Sequence, residues 1–488
     1  MASRNDERSP LIQNGQANRQ EQGDQDEEIV DFSKEDEENP RNWPRARKFL
    51  NVGIIAFMAV LSPLASSMFT PGIAEIAEDL KTTESVVVGA TTGFVVFLGL
   101  GPLVLAPLSE TFGRRKLYLV CFTFFALLQI PTALSPNVGT LIGVRTISGF
   151  FGSVGIANGG GTISDMFHPN QRAVVFGWYL LGPLLGPTLG PLFGGIIVQY
   201  LGWRWIFWIL TIVCSFNTIV GFLFLKETYA PAILEARKEA YTRSSDGNTK
   251  YRMAGQDDRP FRTKLASSMA RPLRILFTQP IVLTMAIYQA ILFGTTYSLY
   301  TNFQAMYGSL YGFNTTQVGL MYLGPGLGFM IAVWFVVPRI DTVYNQLADQ
   351  NDGEAKPEFR LPLANIGAVF IPISLFWFAW TVEYKVHWTV PLLSTVFFGL
   401  GQITILNTVQ NYYIDSFSKY AASAIAAGAV FRSIVGGVVP LGATRLFDKL
   451  GYGWGISVFA FLSLALSPAP VLFYRYGPGL RERFAIEL

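Results

Sequence analysis

The feature that most constrains this chain is a series of apolar stretches, each about 18 to 27 residues long, recurring from Phe49 onward. Wound as a helix, a stretch of that length crosses a hydrocarbon layer of roughly 30 Å. Twelve such spans are expected: 1 to 6 at about 49–71, 86–108, 117–134, 139–163, 173–200 and 204–225, and 7 to 12 at about 280–304, 316–338, 361–382, 387–412, 421–445 and 453–475. Charge avoids them. Residues 1–44 hold 17 charged residues and 226–279 another 17, so about 9% of the remaining positions are charged. Ordinary soluble proteins carry roughly 25%. So sparse a charge excludes cytosolic globular domains and predicts an all-α membrane protein of two six-helix bundles.

The expected organisation is an acidic, disordered cytoplasmic tail at 1–44, a first bundle at 45–225, a cytoplasmic linker at 226–279, a second bundle at 280–476 and a short cytoplasmic tail at 477–488. The tail carries 12 acids and 5 bases and cannot bury enough surface to fold alone. It also lacks the apolar core of a secretory signal, so targeting is expected to rest on span 1. Lys and Arg set the orientation: after residue 44, 25 lie in the segments that a cytoplasmic N-terminus places inside, against five outside, namely Lys81, Arg204, Lys385, Arg445 and Lys449. Both termini are therefore expected in the cytoplasm. The one Asn-x-Ser/Thr sequon, at Asn314, falls in a short external loop and is a weak glycosylation candidate. Cys121 and Cys214 sit in apolar runs and read as free thiols.

Six spans, a linker and six more predict paired repeats that rock about a shared substrate site; a channel or receptor with an incidental count of twelve is the alternative. Residues 181–195 place Gly-Pro pairs at four-residue spacing in span 5, a face for close packing and bending. The segment Glu110-Thr-Phe-Gly113-Arg114-Arg115 between spans 2 and 3 can latch a gate, or be no more than a positive-inside signal. Arg145 in span 4 and Arg432 in span 11 are the arginines expected within the membrane. Such groups are costly there, so they mark function unless backbone carbonyls hold them. No acid is expected deep in any span. Asn158, Gln289, Tyr297, Tyr300, Gln402 and Asn407 are scattered candidates for a loosely polar cavity lining. The chain has no phosphate loop for ATP, no Cys/His metal spacing and no nucleic-acid motif, so neither a metal nor another cofactor is expected.

These residues resemble the major facilitator superfamily, in particular its fungal twelve-span drug:proton antiporter branch. Glu110 to Arg115 is similar to the superfamily signature between spans 2 and 3, with Glu for the usual Asp and Ala106 at the first glycine position. Arg145-Thr-Ile-Ser148-Gly149 resembles the span-4 motif of proton transfer. Gly186-x-x-x-Gly190-Pro191-x-x-Gly194-Gly195 matches the antiporter motif of span 5. The boundary sequences Glu38 to Trp43, Gly202 to Phe207 and Lys226 to Pro231 are similar to those habitual in this branch. The resemblance implies a proton-coupling role for Arg145, a cytoplasmic gate at Glu110, Gly113, Arg114 and Arg115, and movement through the span-5 glycines.

The expected function is therefore export of small organic molecules such as drugs or a secondary metabolite, in exchange for protons, by a monomer in the plasma membrane. It is not an enzyme. One alternative is an organic-acid exporter with Arg145 and Arg432 as anion ligands. A non-transporting membrane sensor is another.

Overall fold

The computed structural model describes residues 27–33, 35–244, 250–253, 260–417 and 421–484. Among them, eleven helical stretches are long and apolar enough to cross a membrane, from Arg45–Asp79 to Ser423–Arg483. The last runs for 61 residues, but it is two spans. At Gly451 the backbone leaves helical geometry (φ 73°, ψ 171°), and the rings of Phe447 and Phe459 lie 6.3 Å apart across that break. Twelve residues of straight helix would part them by about 18 Å. The chain therefore doubles back, and the crossings are the twelve expected.

Positive-φ glycines make the tight turns between spans: Gly113 (φ 93°) between 2 and 3, Gly202 (φ 85°) between 5 and 6, and Gly451 between 11 and 12. A side chain at such angles is strained, which is why each helix stops there. Two large buried apolar cores form, one from Trp43 to Leu225 and one from Ile275 to Ala460, and a small third of Phe329, Ala332 and Ile403 has Leu184 of the first bundle packed against it. Around them the helices turn apolar stripes outward. On Arg204–Phe224, Ile212, Phe216, Ile219 and Leu223 are each more than half exposed at helical spacing. Such a stripe faces lipid, because water would penalise it at roughly 25 cal/mol per Å². Both cysteines are buried and free.

An even number of crossings puts Arg45, the 226–279 linker and Arg483 at one face, here called the terminal face; the other is the distal face. At the terminal face the tail departs from expectation. Residues 1–26 and 34 lie outside the described residues, but residues 27–33 and 35–44 carry structure. Glu27–Val30 pairs in parallel with Lys250–Met253 of the linker, a two-stranded exception to the all-α pattern. Arg237, on the linker helix Ala230–Ser244, binds Asp36 at 2.8 Å and Glu38, and its guanidinium lies 5.4 Å from the Phe32 ring. Those hydrogen bonds hold the Asp36 carboxyl below its usual range and push Arg237 further up. Sequence composition alone cannot reveal this, because the tail's acidity is neutralised by a base some 200 residues away in the chain.

Candidate substrate site and gates

The two cores meet along paired helices from mid-membrane to the distal face. Span 2 (Glu84–Phe112) meets span 11 where Thr92 Oγ1 donates to Gly437 O at 2.7 Å. Span 5 (Pro169–Leu201) meets span 8 where Gly195 and Pro191 approach Thr315 and Gly319: a Cβ on Gly195 would stand 2.5 Å from Thr315 O. Nearby, Gln199 accepts from Thr316 N at 3.0 Å. Two hydroxyl pairs close the centre. Tyr297 on span 7 (Pro280–Phe303) lies 3.3 Å from Ser66, and Tyr322 on span 8 lies 3.3 Å from Thr70. Ser66 already donates to Pro63 O at 2.6 Å, so Tyr297 is the donor in its pair. Behind them the rings of Tyr300, Phe303 and Tyr322 pack at steep angles, 4.9–5.9 Å apart. Tyr297 and Tyr300, two of the candidates for a cavity lining, are buried here beside this contact.

The antiporter-motif glycines serve mainly another contact. Gly182, Gly186, Gly190 and Gly194 recur every four residues and so share a face of span 5. That face packs on span 1 of the same bundle, not across to the other. A Cβ on Gly186 would come within 3.0 Å of Leu64 N, one on Gly190 within 2.7 Å of Leu64 O, and one on Gly194 would overlap Met68 O. Of the motif residues, Pro191 and Gly195, on the neighbouring face, approach span 8, as do Thr188, Leu192 and Gln199 outside the motif.

The two membrane arginines look alike in sequence and differ in structure. Arg145 is 1% exposed, on Val138–Gly152 of span 4. It donates to Ala90 O at 3.3 Å and Ala65 O at 3.1 Å, leaves Nη1 without a partner, and lies under three rings, Phe69 at 4.3 Å, Phe94 at 4.9 Å and Phe207 at 5.4 Å. It is a pin inside the first bundle, held by backbone carbonyls and ring faces. Arg432 is partly accessible and makes no hydrogen bond or ion pair among the described residues. Its nearest described partner is the Phe293 ring at 5.0 Å.

Of the scattered polar residues, Gln289 and Gln402 are buried with Nε2 and Oε1 unpaired. Asn407 donates to Ile403 O of its own helix at 3.1 Å. Asn158 is not near this region. It accepts from Ser109 Oγ at 2.8 Å and belongs to the terminal-face cluster.

In that cluster Arg114, 7% exposed in its side chain, sits 3.3 Å from Asp165 and 3.9 Å from Glu110, bonds Ser109, and lies 5.1 Å from the Tyr229 ring. Asp165 is its enclosed partner, whereas the expected latch acid, Glu110, is 56% exposed and peripheral. Glu227 is the residue that sequence reasoning missed. Its Oε1 accepts from Arg114 N at 2.9 Å, Thr228 N at 3.0 Å and Tyr229 N at 3.0 Å, and its Oε2 from Arg115 N at 3.0 Å. A carboxylate thus caps the start of span 3 (Arg114–Ala133), where helix N–H groups are unpaired and the dipole is positive. Arg115 returns the cap, donating to Leu225 O at 2.7 Å and Phe222 O at 3.1 Å at the end of span 6. Gly113 is needed between them, since a Cβ there would sit 2.6 Å from Glu227 Oε2.

The second bundle mirrors this. Arg360, heading span 9, bridges Asp341 at the end of span 8 and Asp415 at the end of span 10, the latter at 2.7 Å. Arg114 relates in the same way to Glu110 at the end of span 2 and Asp165 at the end of span 4. Beside Arg360, Glu358 is 1% exposed with Arg481 at 3.6 Å, a buried acid at the terminal end of span 9 that the sequence did not single out. It was hidden because its segment, a 3-10 helix at Pro357–Leu363, precedes the apolar run. Asn314 is exposed and caps Thr315–Met321, its side chain accepting from Gln317 N at 2.9 Å.

Comparison with known proteins agrees with this architecture. The family model described as Major Facilitator Superfamily matches residues 55–440. The MFS-type transporter tndD of Aspergillus flavipes is 38% identical over 462 residues, covering 93% of this chain and 86% of that protein. The efflux pump radE of Floropilus chiversii is 39% identical over 471 residues, covering 95% and 87%. Among solved structures, the xylose transporter XylE of E. coli, in a partially occluded inward-open conformation, superposes with a TM-score of 0.62 at 13% identity, covering 88% of this chain and 98% of its own. That likeness concerns the fold alone.

Proposed function

This chain belongs to the major facilitator superfamily and is a multi-pass membrane transporter, and from that premise we propose that it exports small organic molecules in exchange for protons by alternating access. The observation that carries the reading is the junction itself: the described contacts between the spans of the two bundles run from mid-membrane to the distal face, where hydroxyl pairs and glycines make them, while at the terminal face the linker helix Phe261–Thr278 lies against spans 2 and 11. A junction of that kind suits two rigid bundles that rock about a central site. The excess of Lys and Arg in the linker and terminal segments assigns the terminal face to the cytoplasm, with both tails inside. On that assignment the sealed distal face is external. The protein acts as a monomer in the plasma membrane, and the direction of export follows the antiporter motif at Gly186, Gly190, Pro191, Gly194 and Gly195.

In this reading Arg432 faces the cargo. Arg145, enclosed by rings and carbonyls, acts on proton coupling only through the packing of spans 1, 2, 4 and 6. The cluster of Arg114, Asp165 and Glu227 ties the cytoplasmic ends of the first bundle together. The test uses purified protein in liposomes loaded with a pH-sensitive dye, scanned with neutral, cationic and acidic organic compounds. Substrate-dependent proton movement against the substrate's direction is the expected result. Substrate flux with no opposing proton movement would overturn the coupling. Saturable binding with no flux of any compound would favour a sensor instead.

A further inference from the structure

The surroundings of Arg432 go further than a general cavity. Arg432 lies on span 11 directly between Gly428 and Gly436, one turn to either side. A Cβ on Gly428 would stand 3.4 Å from Gln289 Oε1 and from the Tyr413 ring, and one on Gly436 would stand 3.2 Å from Phe293 Cβ and 3.6 Å from Tyr297. This face of span 11 therefore looks into the space between spans 7 and 10. The lipid-facing stripe of the same helix, Ile434, Val438 and Leu441, is exposed on the opposite side. What remains accessible of Arg432 therefore opens inward, not to lipid.

The polar groups around that space are unbalanced in one direction. Arg432 presents five N–H donors and no acceptor, and none of them is satisfied among the described residues. Gln289, 2% exposed, has its Nε2 amide buried without an acceptor. Tyr413 donates its hydroxyl to Val282 O at 3.1 Å, and Tyr297 donates to Ser66. Among the described residues no Asp or Glu compensates: Asp415 is held by Arg360, and Asp448 lies sixteen residues along span 11, about 24 Å away. An uncompensated cation in this setting is costly unless something supplies the counter-charge. A surplus of donors, a positive charge and the aromatic walls of Phe293, Tyr297 and Tyr413 together describe a receptor for an anion with an apolar body.

We propose that Arg432 and Gln289 form the binding site for a carboxylate on the transported molecule, so that the cargo is an aromatic or otherwise apolar organic acid in its ionised form. The planar guanidinium matches a carboxylate bidentately, and the Gln289 amide supplies a further donor. The proposal rests on the export reading and narrows it to a substrate class. It separates the two arginines, because Arg145, enclosed by three rings, takes no part.

The test measures binding of naphthoate and of its neutral isostere naphthamide to the full-length protein in lipid nanodiscs. The variants are Arg432→Gln, Arg432→Lys and Gln289→Leu, each first checked for monodispersity. The expected result is saturable naphthoate binding at least about tenfold tighter than naphthamide, the scale of a charge-assisted hydrogen-bond pair. Arg432→Gln should bring naphthoate affinity down to about that of naphthamide, which itself weakens far less because it loses a neutral hydrogen bond and no ion pair. Arg432→Lys should retain part of the preference, and Gln289→Leu should weaken naphthoate a few-fold. Equal affinity for the two probes, no saturable naphthoate binding, or parallel loss of both probes in a monodisperse Arg432→Gln protein would overturn the proposal. Failure of the export reading would register elsewhere, as naphthoate binding intact but no proton movement in liposomes.

Discussion

Removing the Glu227 carboxylate tests whether the terminal-face cluster is a structural joint. Its two oxygens accept from the backbone N–H groups of Arg114, Arg115, Thr228 and Tyr229. Glu227→Ala deletes the cap, worth about 1 kcal/mol and up to about 2, together with a negative charge on a helix N-terminus, worth about 0.3–1 and up to about 2 in partly buried geometry. The loss should be about 2–4 kcal/mol. Glu227→Gln is the informative partner, because Oε1 takes three of the bonds and Oε2 one. A glutamine with its oxygen at the Oε1 position keeps those three, turns an amide against Arg115 N and loses the charge, for about 1–2 kcal/mol. At about 2–4 °C per kcal/mol for a bundle of this size, the alanine variant should melt roughly 5–15 °C lower and the glutamine variant about half that. Tryptophan-fluorescence melting of the purified protein reads both, and Arg115→Ala added to Glu227→Ala should cost less than the sum, since both caps join the same two helix ends. An alanine variant that melts with the wild type, or a glutamine variant as damaged as alanine, would refute the capping argument.

Two further perturbations address packing and pH. Gly194→Ala drives a Cβ into Met68 O, so spans 1 and 5 must part at a cost of about 1–3 kcal/mol or more. Gly442→Ala, with nothing within 4 Å, should be neutral or stabilise by up to about 1 kcal/mol, and equal melting of the two variants would contradict the close-approach account. For the tail, Arg237 depresses the Asp36 pKa, so the clamp's contribution is complete above the unfolded carboxyl value of about 3.9 and is lost as pH falls through the lower folded value. A spin label at Ser33→Cys, selective because Cys121 and Cys214 are buried, should stay restrained from pH 8 to about 4 and mobilise below that. Arg237→Ala should mobilise it at pH 7; a transition near pH 6 would implicate a different group.

The spans were legible because bilayer crossing depends on length and apolarity, both of which are local properties. Partners were not. The four-residue spacing of Gly182 to Gly194 announces a close-packing face, but nothing in that spacing distinguishes span 1 from span 8, and the structure chooses the span within the same bundle. Arg145 and Arg432 are likewise equivalent as letters. Phe69, Phe94 and Phe207, from spans 1, 2 and 6, enclose one, and the glycines flanking the other leave it open. Glu227 and Glu358 do not stand out in the sequence, because burial at a helix end is decided by the neighbouring element. Even the repeat becomes visible afterwards: Leu201-Gly202-Trp203-Arg204-Trp205 and Leu450-Gly451-Tyr452-Gly453-Trp454 make the same positive-φ turn before spans 6 and 12.

The mirrored clusters bear on how such a molecule can move. Arg114 joins the ends of spans 2, 3 and 4, and Arg360 those of spans 8, 9 and 10. All of these ion pairs lie within a single bundle, so rocking the bundles need not break them. Across the junction the named bonds are few and neutral: Ser66–Tyr297 at 3.3 Å, Thr92–Gly437 and Gln199–Thr316, while Thr70 and Tyr322 only touch at 3.3 Å because their hydroxyls donate to Ser67 O and Tyr300 O. At about 0.5–1.5 kcal/mol net for each such bond, the distal seal stores only a few kcal/mol in hydrogen bonds. That is the scale of gap at which binding of a ligand can shift a two-state equilibrium. Strong ties inside each bundle and weak ones between them make the junction the softest part of the molecule, and the uncompensated charge of Arg432 lies beside it, where a bound anion can bias its opening.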